Sequence, residues 1–365
     1  MDSTSTVRST SHGEADTTGC STTQVSAGKL TRTDQPSGTV DPQQRLAELY
    51  GPILAPLKEV ELRLSQELQS RYAVLTPVLQ HGTQLGGKRL RPAMLLLSGA
   101  AAGGVQSDHV VLATVIEMVH TATLVHDDVL DKADTRRHVP TINARWNEDT
   151  SILLGDYLFA QSFRLAATLP STEACRWIGE AARLVCEGEL RQVLRRDMVE
   201  LDEPTYFDMI RGKTAELCRV ACQLGAKYSE TSAEVVDAFA AYGNAVGIAF
   251  QIADDYLDLW GSDETVGKTL GTDIQQGKMT LPIIRLLATA NEADREQIIG
   301  ILRGPSDVRL NLIRPFLHNC DAQDYTHEVA DRFRCEAMEA LEIVPDSAAK
   351  ASLIAIANFS VDRRF

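Results

Sequence analysis

The chain has 365 residues, of which 44% are hydrophobic, enough for a sizeable core in one large domain or two ordinary ones. Its 24 glycines, 13 prolines and 5% aromatic residues argue against an all-β design, which needs many turns. A net charge of −14 argues against general nucleic-acid binding, which needs a basic surface, yet leaves room for a small anionic substrate in a local basic pocket.

Residues 1–44 are rich in Ser, Thr, Gly and Gln and carry almost no large apolar residues, so they read as a disordered N-terminal extension. A transit peptide would also be rich in Ser and Thr, but Asp2, Glu14, Asp16 and the scarcity of Arg count against one. No signal-peptide pattern opens the chain.

From residue 45 onward a single domain is expected. "LAELYGPILAPLKEVELRLSQEL" spaces its apolar residues at three and four, predicting one or two amphipathic helices. "RPAMLLLSGAAAGG" reads as a helix closed by glycines; it lies in the apolar stretch closest to the roughly 18 residues of a membrane span, and falls short. "SDHVVLATVIEMVHTATLVHDDVLDKA" predicts a long buried helix with a Ser or Asp cap, apolar nearly all round. Further helices are expected over 150–168, 172–199, 204–229, 231–260, 280–303, 324–344 and 347–361, separated in places by Pro170, Pro204 and Gly304-Pro305. No stretch alternates as a strand. The architecture expected is a large all-α bundle.

Seven cysteines, at 20, 175, 186, 218, 222, 320 and 335, form no CxxC pair. Cys218 and Cys222 stand one helical turn apart with no second pair beside them, so reduced core thiols are expected, in a cytoplasmic setting.

Two acidic clusters interrupt apolar helices. Asp127, Asp128 and Asp131 lie in "LVHDDVLDKADTRR", and Asp254, Asp255 and Asp258 in "FQIADDYLDL". On a helix, residues i and i+4 share a face, so each cluster stacks its carboxylates one turn apart. Buried unpaired they would repel at high cost, and hard divalent cations resolve the conflict. Mg²⁺ is the natural candidate, because it combines one or two carboxylates with substrate phosphates. A solvated acidic face would continue with Lys, Glu or Gln, whereas these clusters continue with Leu, Val, Ile and Ala.

A diphosphate site also needs cations. "QLGGKRLRP" offers Lys88, Arg89 and Arg91 after two glycines that permit close backbone approach. Arg136 and Arg137 follow the first acidic cluster, Lys213 and Thr214 lie in "IRGKTAEL", and Lys268 and Lys278 lie in "VGKTLGTDIQQGKMTLP". The "GKTLG" fragment is not a phosphate-binding Walker loop, because no GxxxxG loop after a strand precedes its lysine.

Taken in order and spacing from about residue 45 to the C-terminus, these segments resemble the trans-polyprenyl diphosphate synthases. The resemblance implies an all-α domain around a central cavity, several Mg²⁺ ions and a homodimer. It implies that the six aspartates bind an allylic diphosphate through metal, that Arg136, Lys213 and Lys268 touch that diphosphate, and that Lys88, Arg91, His120 and Arg137 touch isopentenyl diphosphate. Lys278 joins the substrate-binding set, Thr214 and Gln251 stand near the reacting carbons, and Gln192 lies on the helix facing the first cluster. His126 stays undecided between core residue and ligand. His138 occupies a place where the family often has Gly, and Lys132 replaces a frequent acidic residue.

The chemistry implied is ionisation of the allylic C–O bond, attack by the isopentenyl double bond, and proton loss to the released diphosphate. The product is a lipid that partitions into membranes. Chain length is expected to be set on the helix before the first cluster. Ala122 lies about 7.5 Å down the axis from Asp127 at the usual rise. Ala122 and Thr123 are small, with Met118 and Val119 beyond them, which predicts a product of C30 or more, with C20 as the alternative. A class I terpene cyclase and a non-catalytic partner subunit are the remaining readings, disfavoured by the complete second cluster and by "GGKRLRP".

Overall fold

The computed structural model describes residues 48–261 and 270–361. The expected disordered extension, Cys20 and Lys268 fall outside the described residues.

In chain order the described elements are α1 (Leu54–Glu67), α2 (Thr76–Gln84), α3 (Leu90–Ala102), α4 (Ser107–Leu130), a two-strand hairpin β1 (Thr135–Arg136) and β2 (Val139–Pro140), α5 (Ile142–Arg145), α6 (Glu148–Ala166) and α7 (Glu173–Leu194). Then come α8 (Glu203–Ile210), a π-helical turn (Arg211–Ala215), α9 (Glu216–Lys227) and α10 (Ala233–Trp260). The chain closes with α11 (Thr272–Gln275), α12 (Leu281–Thr289), α13 (Glu292–Arg303), α14 (Arg309–His318), α15 (Ala322–Ala340) and α16 (Ala348–Val361). The fold is all-α, as the periodicity predicts.

Helices α4 and α10 form the centre. The first packs along α6, the second between α9 and α15, while α3 lies on α9. Ile116, Met118, Val119 and Ala122 of α4, and Phe239, Tyr242 and Ile248 of α10, are wholly buried. Both helices are long and apolar enough to cross a membrane by length and composition, which corrects the expectation drawn from uninterrupted runs. Each is instead largely buried inside the bundle, as its all-round apolar pattern predicts.

Side-chain caps decide several helix starts. Asn147, Asp202 and Ser232 accept from the backbone N–H three residues on, opening α6, α8 and α10. The cap of α4 is Gln106 rather than Ser or Asp: Gln106 and His109 bond each other's backbone reciprocally, with Gln106 N donating to His109 Nδ1 at 3.0 Å. The stretch 280–303 is two helices, because Asn291 caps a new one through Asp294 N at 3.0 Å. Helix α14, with Pro315 inside it, is a further element that periodicity did not predict.

The hairpin β1–β2 is the one departure from helix among the described residues. Its two turn residues, Arg137 (φ 53°) and His138 (φ 64°), both take left-handed backbone, as a type I′ hairpin turn demands. That is the physical reason a glycine suits position 138, and Lys132 is left-handed too, at φ 50°. None of the cysteines forms a disulfide among the described residues, and Cys218 and Cys222 are buried in the core.

Candidate active site

A cavity of about 800 Å³ opens beside α4. Its wall takes Lys88, Arg89 and Arg91 from the start of α3, and Glu117, His120, Thr123, His126 and Asp127 from α4. Arg136 and Arg137 come from the hairpin, Cys186 and Glu189 from α7, Lys213 and Thr214 from the π turn, Gln251 and Asp254 from α10, and Phe359 from α16. Seven segments that the sequence separates thus meet at one site, with acids and bases interleaved.

The two acidic clusters are deployed differently within it. Asp127 and Asp254, the first residue of each, line the cavity. Burial pushes the Asp127 carboxyl up to about 6; Lys213 opposes the shift, and Glu189 and Asp131 add to it. Asp128 is 1% exposed and held by Arg136, whose Nη2 stands 2.7 Å from Oδ1. Asp131 accepts from Arg196 Nη2 at 2.8 Å and faces Lys278 Nζ at 3.3 Å.

Asp255, 2% exposed, accepts from the Tyr206 hydroxyl at 2.6 Å and from Gln251 Nε2 at 2.8 Å. It faces a small side cavity lined also by Gln192, Lys213, Asp273 and Lys278. Burial, then the charge of Asp273, holds its carboxyl well above the carboxylate range. Asp258 accepts from two backbone N–H groups, Thr272 at 3.0 Å and Asp273 at 3.1 Å, and so anchors the chain where it re-enters at α11.

The basic residues fall into two groups. Lys213 stands on the π turn, forms an ion pair with Glu189 and donates to Gln192 Oε1 at 2.7 Å. The approach requires Gly188, since a Cβ there would come within 2.6 Å of Lys213 N. Thr214 Oγ1 donates to Gln251 Oε1 at 2.8 Å, so Thr214, Gln251, Asp255 and Tyr206 form one hydrogen-bonded chain.

The second group surrounds the start of α3. Arg91 Nη1 donates to His120 Nε2 at 3.1 Å. Burial and four neighbouring arginines hold His120 far below its ordinary range, so it is neutral and accepts at Nε2. Arg91 Nε is buried with no oxygen acceptor among the described residues, a donor that suits an anion. Arg137 Nη1 donates to Leu85 O at 3.0 Å, and Lys88 Nζ lies 4.8 Å above the Phe359 ring. The glycine pair makes room for guanidinium groups: a Cβ on Gly86 would overlap that of Arg89, and one on Gly87 that of Arg137.

His126 lines the cavity and donates from Nε2 to Ile152 O at 3.1 Å. Of the four chain-length positions, Thr123 faces the cavity, whereas Met118, Val119 and Ala122 are wholly buried in the bundle behind it. Residues that sequence reasoning missed are Glu117, Glu189, Arg196, Tyr206 and Phe359. Tyr206 and Asp255 are 49 residues apart, and no local pattern links them.

A divalent metal fits this donor set, which is all carboxylate oxygen. Among the described residues no three acidic, His or Cys side chains form a ready-made cage. Carboxylate oxygens are the ligands that hard divalent cations take.

The polyprenyl synthetase family model matches residues 72–311. An all-trans-nonaprenyl-diphosphate synthase of Rhodobacter capsulatus is 33% identical over 87% of this chain and 97% of its own length. A short chain isoprenyl diphosphate synthase of Methanothermobacter thermautotrophicus is 36% identical over 78% of this chain and 89% of its own. The crystal structure of a polyprenyl synthase from Caulobacter crescentus, complexed with calcium and isoprenyl diphosphate, superposes with a TM-score of 0.81 at 33% identity, covering 88% of this chain and 98% of that one. An all-α bundle that brings one aspartate of each acidic cluster and two basic groups to one cavity, matched along most of its length by such relatives, belongs to the polyprenyl synthetase family and is a prenyltransferase.

Proposed function

We propose that the enzyme condenses isopentenyl diphosphate with an allylic diphosphate, through Mg²⁺, to make a polyprenyl diphosphate of C30 or more. The observation that carries this reading is the pairing of Asp127 and Asp254 across one cavity that also holds two separate cationic groups. One diphosphate per group accounts for both.

Asp127 and Asp254 offer metal ligands from two helices that line the same cavity, and Asp131 joins them by exchanging its side-chain cations for metal. When bound, the metal neutralises charge that develops on the leaving diphosphate. Lys213 and Arg136 hold that same diphosphate, which departs with the electron pair of the allylic C–O bond. Lys88, Arg91 and Arg137 orient the isopentenyl diphosphate so that its double bond meets the allylic carbon. The proton lost after bond formation passes to the released diphosphate. Thr214 and Gln251 face the reacting carbons, and the apolar walls exclude water. The calcium and isoprenyl diphosphate in the Caulobacter relative support the metal and the ligand class.

A homodimer in a cytoplasmic setting completes the reading. Catalysis is assigned to a single domain from about residue 45 onward. The long product is supported by the nonaprenyl relative and by small Thr123 on the cavity wall. The short-chain relative favours C20 as the second reading. Purified protein with farnesyl diphosphate, isopentenyl diphosphate and Mg²⁺ is expected to release diphosphate only when all three are present and to yield products of C30 or more. A product ending at C20 or C25 overturns the chain length; release without isopentenyl diphosphate overturns the reaction.

A further inference from the structure

Arg89 sits between two residues assigned to the isopentenyl diphosphate site, yet its own side chain turns to carboxylates. It precedes α3 in left-handed backbone at φ 53°, a conformation that is strained for a non-glycine residue. Something must hold it there. Its Nη1 meets Glu117 Oε1 at 2.6 Å, and its Nε meets Glu61 Oε1 at 2.6 Å. Nη2 donates to Glu61 Oε2 at 3.2 Å and to Thr83 O at 3.3 Å. Glu117 is 1% exposed in the middle of α4, three residues from His120.

A guanidinium fork engaged on three of its sides fixes orientation, which a lysine at this place would not do. The space it fills exists only because residue 86 is glycine. Tyr50 adds a second restraint, donating to Lys88 O at 2.9 Å.

We propose that Arg89 is a positioning residue for isopentenyl diphosphate: clamped by Glu117 and Glu61, it locks the turn that carries Lys88 and Arg91 to the cavity. The proposal rests on the reaction assigned above. Arg89 lies at the cavity wall, but Nε, Nη1 and Nη2 are all engaged by protein oxygens, so it acts by keeping a strained turn in the one form that aims its two neighbours.

The test is steady-state kinetics on the full chain with each substrate varied in turn. R89K keeps the charge and loses the fork. E117Q keeps Arg89 and loosens its clamp. R89M/E117L removes both charges, so no buried carboxylate is orphaned. All three are expected to raise KM for isopentenyl diphosphate by about tenfold, to change kcat by less than about threefold, and to leave KM for the allylic diphosphate within about twofold. Circular dichroism identifies the variants that fold.

If E117Q leaves KM unchanged or lowers it while R89K raises it, Arg89 is a direct ligand and the proposal fails. An equal rise in both KM values makes the role merely structural and also overturns it. So does a folded double variant with wild-type KM. Wild-type protein without isopentenyl-dependent turnover brings down the reaction itself, and the proposal with it.

Discussion

The two acidic clusters share one sequence pattern and do different work. In each, the first aspartate reaches the cavity and the second is buried. The third residues diverge. Asp131 is held by Arg196 and Lys278, side-chain cations that a metal can replace, whereas Asp258 is held by backbone N–H groups of Thr272 and Asp273. The buried members diverge too: Asp128 faces the charged Arg136, and Asp255 faces the neutral Tyr206 and Gln251. The comparison teaches that a repeated motif is not a repeated site. On the function proposed above, the first cluster offers two carboxylates to metal and the second offers one, while Asp255 and Asp258 also hold Tyr206, Gln251 and the start of α11.

The largest expected effect lies at the cavity. D127N and D254N should each lower kcat by about a thousandfold or more, because each removes the charge that a metal needs. Product release assays check this. D127N should also show a trade-off in metal-free protein. The Asp127 carboxyl is raised to about 6 in the folded state against an unfolded value of about 3.9. The folded state therefore binds more protons in that window, so stability falls as pH rises from about 4 to 6. D127N is expected to melt a few degrees above wild type near pH 7.5 in a chelator, with no gain below about pH 4.

Next in size are the supports of the second cluster. Y206F removes the hydroxyl that holds Asp255 and is expected to lower kcat by about tenfold, well short of D254N. Kinetics that put Y206F and D254N on a par would erase the distinction between ligand and support. T123F should shorten the product further than A122F, because Thr123 faces the cavity and Ala122 packs behind it; chromatography of the dephosphorylated products reads this directly. The smallest effect is at the hairpin. H138G relieves left-handed strain next to Arg137 and should change stability by under about 1 kcal/mol in either direction, with kinetics intact.

Much of this was legible in the sequence, and the reasons for the rest are specific. Apolar periodicity carries α4 and α10, and the acidic clusters stand out because charge is costly inside such helices. The break at Asn291 was hidden because Ala290 and Asn291 do not interrupt the apolar pattern; only the cap does. The left-handed turn at Arg137 and His138 was hidden because neither residue type signals it. Glu117 reads as a lone acid in a buried helix until the partner 28 residues earlier, Arg89, is known. The assignment of all six aspartates to metal cannot be refined from spacing, since i, i+1 and i+4 share a side of the helix in both clusters. Only the partners of Asp255 and Asp258, brought in by tertiary contacts, separate them.

The most direct test of the asymmetry is a crystal structure with Mn²⁺ and a thiodiphosphate analogue of the allylic substrate, in which anomalous scattering locates each ion. Ions on Asp127, Asp131 and Asp254, with Asp255 still on Tyr206 and Asp258 still on the backbone of Thr272 and Asp273, are the predicted result. Manganese coordinated by Asp255 or Asp258 would contradict it.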